Sequence, residues 1–214
     1  MAAMRLGCGS CLGSVVALAV CALLVGGAAG AMLRMLARPD GASPPATTAA
    51  DGTRAQQKLF DVARGGRRGR TVTLSEAEVN ALLARHLVEA RGVRLLAPSA
   101  RLMGDDRLEV TTQIPLGQLL DDAGAAALAG LLPAGWRARP VWVHVGARAH
   151  VEDGARRQWS LDVEDFALGR QRLPARALRV LLDPGAVGLL RWPLPQDVED
   201  VRIEPGRVVI RAAS

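Results

Sequence analysis

From Leu12 to Leu33 the chain runs for 22 residues without a charged side chain, LGSVVALAVCALLVGGAAGAML, and no other stretch limits its fold as strongly. About 20 helical residues cross a hydrocarbon core. Lipid offers no partners to unpaired backbone groups, so a run of this kind must be helical where it is embedded. Arg5 precedes it and Arg34 follows. The length favours an uncleaved, single-pass anchor over residues 1–36, because the apolar region of a signal peptide spans only about 7 to 15 residues. Two alternatives stay open. Ala29-Gly30-Ala31 offers an A-x-A-like cleavage site, and Leu18-Ala19-Val20-Cys21 is a loose lipobox with a bulky valine before the cysteine. Arg34, Arg38 and Arg54 outnumber Arg5, which by loop counting places the C-terminus inside. Long domains translocate largely regardless of charge, and the short N-terminal tail suits N-in insertion. The C-terminal domain is therefore expected on the extracytoplasmic side of the cell membrane, periplasmic or extracellular.

The net charge of +6 sits almost wholly at the front. Residues 71–214 hold 18 Arg against 18 Asp and Glu, whereas residues 1–70 hold 9 basic and 3 acidic side chains. A neutral domain without tyrosine lacks the basic and aromatic faces of nucleic-acid binders, so nucleic acid is excluded as a partner. Cys8, Cys11 and Cys21 all lie in or beside the apolar run, leaving the domain free of cysteine and compatible with an oxidising compartment. Cys8-x-x-Cys11 has redox spacing, but no βαβ pattern or second ligand pair accompanies it.

Residues 37–53 are rich in Pro, Ala, Thr and Gly, as in a tether. A short helix is expected from Arg54 to Arg64, followed by the Arg-rich loop up to Arg70, which together make residues 37–70 a flexible linker. The domain proper, residues 71–214, opens with a capping box of Ser75 and Glu78. An amphipathic helix then carries Val79, Leu82, Leu83, His86, Leu87 and Ala90 on one stripe. His86 is expected in or beside the core.

Strand-like runs follow, and their register can be read by asking which pairing keeps apolar residues on one face. The first hairpin, around Gly104-Asp105-Asp106, sets Leu102 opposite Leu108, Ala100 opposite Val110 and Leu96 opposite Ile114. In the second, a two-residue turn at Asp153-Gly154 would set Val145, Ala147 and Ala149 against polar residues. A three-residue loop through Ala155 instead sets Val151, Ala149, Ala147 and Val145 opposite Arg157, Trp159, Leu161 and Val163. The third turns at Pro205-Gly206 and aligns Val201 with Ile210 and Ile203 with Val208. Further helices are expected over Leu116–Leu132 and Pro174–Leu182, the latter with proline in its first turn. The fold class is α+β: an N-terminal transmembrane helix, then a curved antiparallel β-sheet of long hairpins packed on amphipathic helices.

Signatures of hydrolases, zinc proteases and nucleotide binders are missing from the chain. His144 and His150 share a strand face with Ser160, Asp162 and Glu164 of the paired strand. The histidines are six residues apart, about 20 Å at ~3.3 Å per residue, too far to share a metal ion. Solvent-facing polar residues explain this face better than a His144–Asp162 catalytic pair. No catalytic residue, metal or cofactor is expected, and the chain reads as a non-enzyme. Among the tryptophans, Trp159 belongs to the apolar face. Trp192 lies in a proline-bounded apolar loop, where it suits a ligand entrance, lipid contact or core packing.

The segment Thr71 to Leu83, TVTLSEAEVNALL, resembles the opening of bacterial YpmS-like envelope domains. Phe166 to Pro174 with Leu178 and Leu181-Leu182 is similar to a segment shared by YpmS-like and LmeA-like proteins, and Ile203 to Ile210 is similar to their closing hairpin. The resemblance spans roughly residues 71–212 and matches Asn80 and Gly169, for which a helix-surface asparagine and a turn glycine are structural explanations. It implies an anchored or secreted protein with a fold akin to tubular lipid-binding domains, and no catalytic residues. The expectation is a membrane-tethered domain whose partner is a membrane lipid or other apolar ligand, bound by Leu83, Leu87, Val143, Val145, Trp159, Leu161, Val163 and Trp192. The alternative is a structural role with an envelope protein partner, and a hydrolase is the third reading.

Overall fold

The computed structural model describes residues 22–23, 26–27, 29–39, 46–63, 71–87, 89–90, 93–152, 157–178 and 190–213. Most of the apolar run with its three cysteines, the Arg64–Arg70 loop, the tip of the second hairpin at Asp153-Gly154-Ala155 and residues 179–182 of the last expected helix lie outside them. Among the described residues no helix is long and apolar enough to cross a membrane. Residues 29–36 are helical.

Helix α1 (Ala49–Ala63) leads to strand β1 (Thr71–Ser75) and helix α2 (Glu76–His86), then the two-residue strands β2 (Glu89–Ala90) and β3 (Val93–Arg94). Next come β4 (Leu96–Gly104), β5 (Arg107–Pro115), the short helices α3 (Leu116–Asp122), α4 (Ala126–Leu131) and α5 (Ala134–Arg137), and the long strands β6 (Pro140–Glu152) and β7 (Gln158–Leu168). After β8 (Gln171–Leu173) and a 3-10 turn at Ala175–Ala177, the chain ends with β9 (Arg191–Pro193), β10 (Val198–Glu204) and β11 (Arg207–Ala212). The fold is α+β. A large antiparallel sheet runs in the order β4-β5-β6-β7-β8, with β9 also paired to β7, and a smaller sheet has the order β1-β11-β10.

Of the first hairpin's expected pairs, Leu102 with Leu108 and Ala100 with Val110 hold. Leu96 meets Gln113 rather than Ile114, because an irregularity between Leu96 and Ser99, with Ala97 at φ +46°, shifts the register. In the second hairpin the odd loop and the apolar face are as read, but every pair is displaced: Val151 meets Trp159, Ala149 meets Leu161 and Ala147 meets Val163. The connection from Glu152 to Gln158 is two residues longer than expected, and a two-residue shift preserves side-chain parity. The third hairpin pairs as expected.

Between Gly146/Ala147 and Asp165/Val163 the register shifts, with Glu164 as the extra residue. Trp159, Leu161 and Val163 are odd-numbered while Phe166 and Leu168 are even, so in a regular strand the two sets would point to opposite faces. The bulge reverses parity and keeps both sets inward. One apolar face results, with Ile114, Val141, Val143, Phe166 and Leu168 at one end and Leu102, Leu108, Ala147, Ala149 and Leu161 at the other.

The expected helix over 116–132 breaks in two at Gly124, whose φ of +72° ends the helical path. The helix expected at Arg54–Arg64 begins earlier, at Ala49, within the segment 37–53 read as a tether, and buries Ala55 against the smaller sheet. α2 is held between α1 and β4. Its buried positions are Glu78, Asn80 and Ala81, whereas His86, expected in or beside the core, is exposed, with its Nε2 3.5 Å from Gln56 Nε2.

The capping box of Ser75 and Glu78 is present and carries an added charge. Lys58, the chain's one lysine, donates to Glu78 Oε2 at 2.7 Å and to the Thr73 carbonyl at 2.8 Å. Burial pushes the Glu78 pKa up, but the Lys58 hydrogen bond, the Ser75 N–H and the charges of Lys58 and Arg54 together bring it below its ordinary value of 4.5. A carboxyl whose pKa is lower folded than unfolded stabilises fully above the unfolded value, and that contribution disappears as pH falls through the folded one. Stability should therefore drop as pH falls below 4.5. In Glu78→Gln the drop becomes shallower, with about 2 kcal/mol lost at neutral pH because a hydrogen bond to a charged group is given up. Denaturant midpoints across this range check it, and equal pH slopes in both proteins would remove Glu78 from the account.

Candidate apolar ligand surface

Six of the eight expected ligand residues fall on the apolar face. Val143 and Leu161 are buried in it, and Val145, Val163, Trp159 and Trp192 are half-buried against it. Trp192 is part of β9 rather than a loop: its strand adds to the β7 edge in register with Trp159, and the indole centroids lie 5.3 Å apart at a tilt of 36°. Leu83 and Leu87 do not join this face. Both are half-buried, Leu83 on α2 and Leu87 capping its C-terminus, and the helix turns Val79 and Leu82 toward the core instead, because it is held between α1 and β4.

The face is covered by Leu119 of α3, Leu178, Leu190, Ile203 of β10 and Val79 of α2. Leu190 packs against both ends of the apolar interior, so it bridges them. At the tryptophan end, the buried Trp159 Nε1–H has no acceptor among the described residues. Buried indole N–H groups usually find one, so this donor marks the most polar point of an otherwise hydrocarbon surface.

The opposite face is charged. His144 and Asp162 do not meet: His144 pairs with Ala167 across the ladder and its Nδ1 lies 3.2 Å from Thr111 Oγ1. Asp162 instead approaches His150 (Nδ1 to Oδ2, 3.5 Å), which also lies 3.5 Å from Glu152. The Arg148 guanidinium donates to Glu164 at 3.0 Å and, with Arg107 nearby, holds its carboxyl below the usual range. Ser160 is buried beneath this layer, opposite His150 and Arg191. These are paired surface charges, and among the described residues no group of three or more His, Cys, Asp or Glu is placed to hold a metal ion.

Two residues singled out by sequence pattern prove to have structural tasks. Asn80 lies against the free edge of β4: its Nδ2 donates to the Ala100 carbonyl at 2.7 Å and to the Glu76 carbonyl at 2.8 Å, and its Oδ1 accepts from the Ala100 N–H at 2.6 Å. Glu76 Oε2 accepts the next outward N–H, that of Leu102, at 2.8 Å. Gly169, between β7 and β8, has φ +54° and faces the carbonyls of Arg34, Met35 and Ala37. The Arg170 N–H donates to the Arg34 carbonyl at 2.8 Å, Met35 and Leu36 pack on the interior, and the Arg38 guanidinium lies 5.4 Å over the Trp142 ring. Sequence reasoning missed this docked segment, whose only signal is a short apolar pair after Arg34. In comparisons with family models and with curated proteins, nothing matches the chain.

Proposed function

We propose that this is a membrane-anchored, extracytoplasmic domain that binds a lipid or other apolar ligand on the inner face of its large sheet, without catalysing a reaction. In this reading residues 12–33 span the membrane, and the sheet curves around the ligand as in the YpmS-like and LmeA-like domains that the sequence resembles. The observation that carries it is the Trp159 indole N–H, buried without an acceptor among the described residues at the end of a continuous apolar face. An acyl ester carbonyl suits that donor, and its hydrocarbon chain suits Leu161, Val163 and Val145 beyond it. Ligand sites combine a large apolar lining with few polar groups in this way.

The test is photo-crosslinking of the full-length chain in membranes carrying a diazirine phospholipid, with peptide mapping. Label is expected on the peptides holding Trp159 to Leu161 and Trp192, as well as on the anchor. Label confined to residues 12–33 would overturn the ligand reading. A scaffold role with an envelope protein partner is the second reading, favoured by the cover that Ile203, Leu190 and Val79 already give the face.

A further inference from the structure

The large sheet has two ends of different character. One holds the hairpin turn at Asp105-Asp106, where Asp106 is tied to Ile203 of the smaller sheet by hydrogen bonds in both directions, and Met103 stands exposed nearby. The other holds the paired Pro115 and Pro140, Trp142, and the Gly169-Arg170 turn on which residues 34–38 dock. The apolar run thus meets the folded domain at this second end.

The excursion from Pro115 to Pro140, which contains α3, α4 and α5, leaves and returns at the same end. Leu119 buries into the cluster that also receives Met35 and Leu36. α5 closes back on α3: the Leu116 N–H donates to the Arg139 carbonyl at 2.9 Å, and a Cβ on Gly117 would come within 3.1 Å of the Arg137 Cβ. Beyond these contacts the excursion exposes three large apolar side chains, Leu131 at 81%, Leu128 at 58% and Trp136 at 40%. The Arg139 guanidinium lies 5.4 Å over the Trp136 ring, and Arg137, Arg139 and Arg34 are all exposed.

Leucines on short helices beside a tryptophan, with arginines next to them, form the pattern of a segment lying in a bilayer interface. The aliphatic groups enter the acyl boundary, the indole sits at headgroup depth and the guanidiniums meet lipid phosphates. We infer that the α4–α5 excursion is a second membrane contact, resting in the bilayer beside the point where residues 12–33 enter it. Two observations choose lipid as the occupant. Met35 and Leu36, directly after the apolar run, share one cluster with Leu119 at the base of this excursion, and from α4 to Pro140 the charged side chains are the exposed Arg137 and Arg139, the acidic Asp121 lying back on α3. The domain is then held at a set orientation, standing on the Pro115–Pro140 end of its sheet, instead of swinging on a tether. This inference rests on the anchoring of residues 12–33.

Site-directed spin labelling of the full chain in phosphatidylcholine–phosphatidylglycerol nanodiscs tests it. Cys8, Cys11 and Cys21 are replaced by serine and a single label is placed at Leu131→Cys, Leu128→Cys, Met103→Cys or Leu23→Cys, all exposed positions. Labels at 131 and 128 should collide several-fold more with oxygen than with an aqueous nickel chelate, as the label at 23 does, whereas the label at 103 should show the reverse. A label at 23 in lipid with those at 131 and 128 in water overturns the second contact alone. Shielding of 131 and 128 from both reagents overturns it in favour of a protein partner. A label at 23 in water overturns the anchoring and this inference together.

Discussion

Asn80→Ala should cost about 3 kcal/mol of stability, read as a shift of the denaturant midpoint at unchanged slope. Asn80 is 2% exposed, and its side chain satisfies both the N–H and the carbonyl of Ala100 at the edge of β4. An edge strand presents such groups in a row, and α2 covers this one so closely that water does not replace a lost partner. Each buried backbone group left unpaired costs about 1 to 3 kcal/mol. Asn80→Asp separates the two halves of the contact: it still accepts from the Ala100 N–H but cannot donate to the Ala100 and Glu76 carbonyls. It should fall as far as alanine or further, because a carboxylate then faces two carbonyl oxygens. A loss below about 0.5 kcal/mol for Asn80→Ala, the usual effect of a surface change, would show that the edge does not depend on this side chain.

Gly169→Ala should release residues 34–38 from the sheet. The left-handed backbone at φ +54° costs a residue with a Cβ about 1 kcal/mol, and the added carbon would overlap the carbonyl oxygens of Arg34, Met35 and Ala37. These are backbone atoms, which cannot rotate aside as a side chain can, so the docked segment must leave. Gly206→Ala is the control, since Gly206 has φ +71° with nothing within 4 Å of an added Cβ and carries the conformational cost alone. Hydrogen exchange at the Arg170 amide, which is bonded to the Arg34 carbonyl, reads the difference. Its protection should fall more than about tenfold in Gly169→Ala, equivalent to about 1.4 kcal/mol of opening free energy, and stay near its original value in Gly206→Ala. Equal protection in both would mean that the docking does not hinge on this glycine.

The hairpins were legible because alternation with period two admits few registers that keep one face apolar. That logic fixes parity and nothing finer. It identified the odd connection between β6 and β7, yet it could not distinguish a three-residue loop from a five-residue one, since both bury the same side chains. The bulge at Glu164 shows the same limit from the other side. The switch from odd to even apolar positions between Val163 and Phe166 is visible in the sequence, but only the neighbouring strand reveals where the extra residue is absorbed. Trp192 was misplaced for a related reason, because a three-residue strand that ends in proline carries too little periodicity to be told from a loop.

Local chemistry decided by itself what depends on a few neighbouring residues: the Ser75–Glu78 capping box, the turn at Pro205-Gly206, and the character of an uncharged apolar run that a bilayer can hold only as helix. The tertiary structure alone decided which surfaces meet. It placed α1 against the smaller sheet, so that α2 buries Glu78, Asn80 and Ala81 and turns Val79 and Leu82 of the expected stripe to the core while His86 stays exposed. It also brought residues 34–38 onto a turn more than a hundred positions away. Such contacts join segments whose spacing along the chain carries no period, and each is settled by the shape and unpaired hydrogen-bonding groups of a partner surface that exists only after folding.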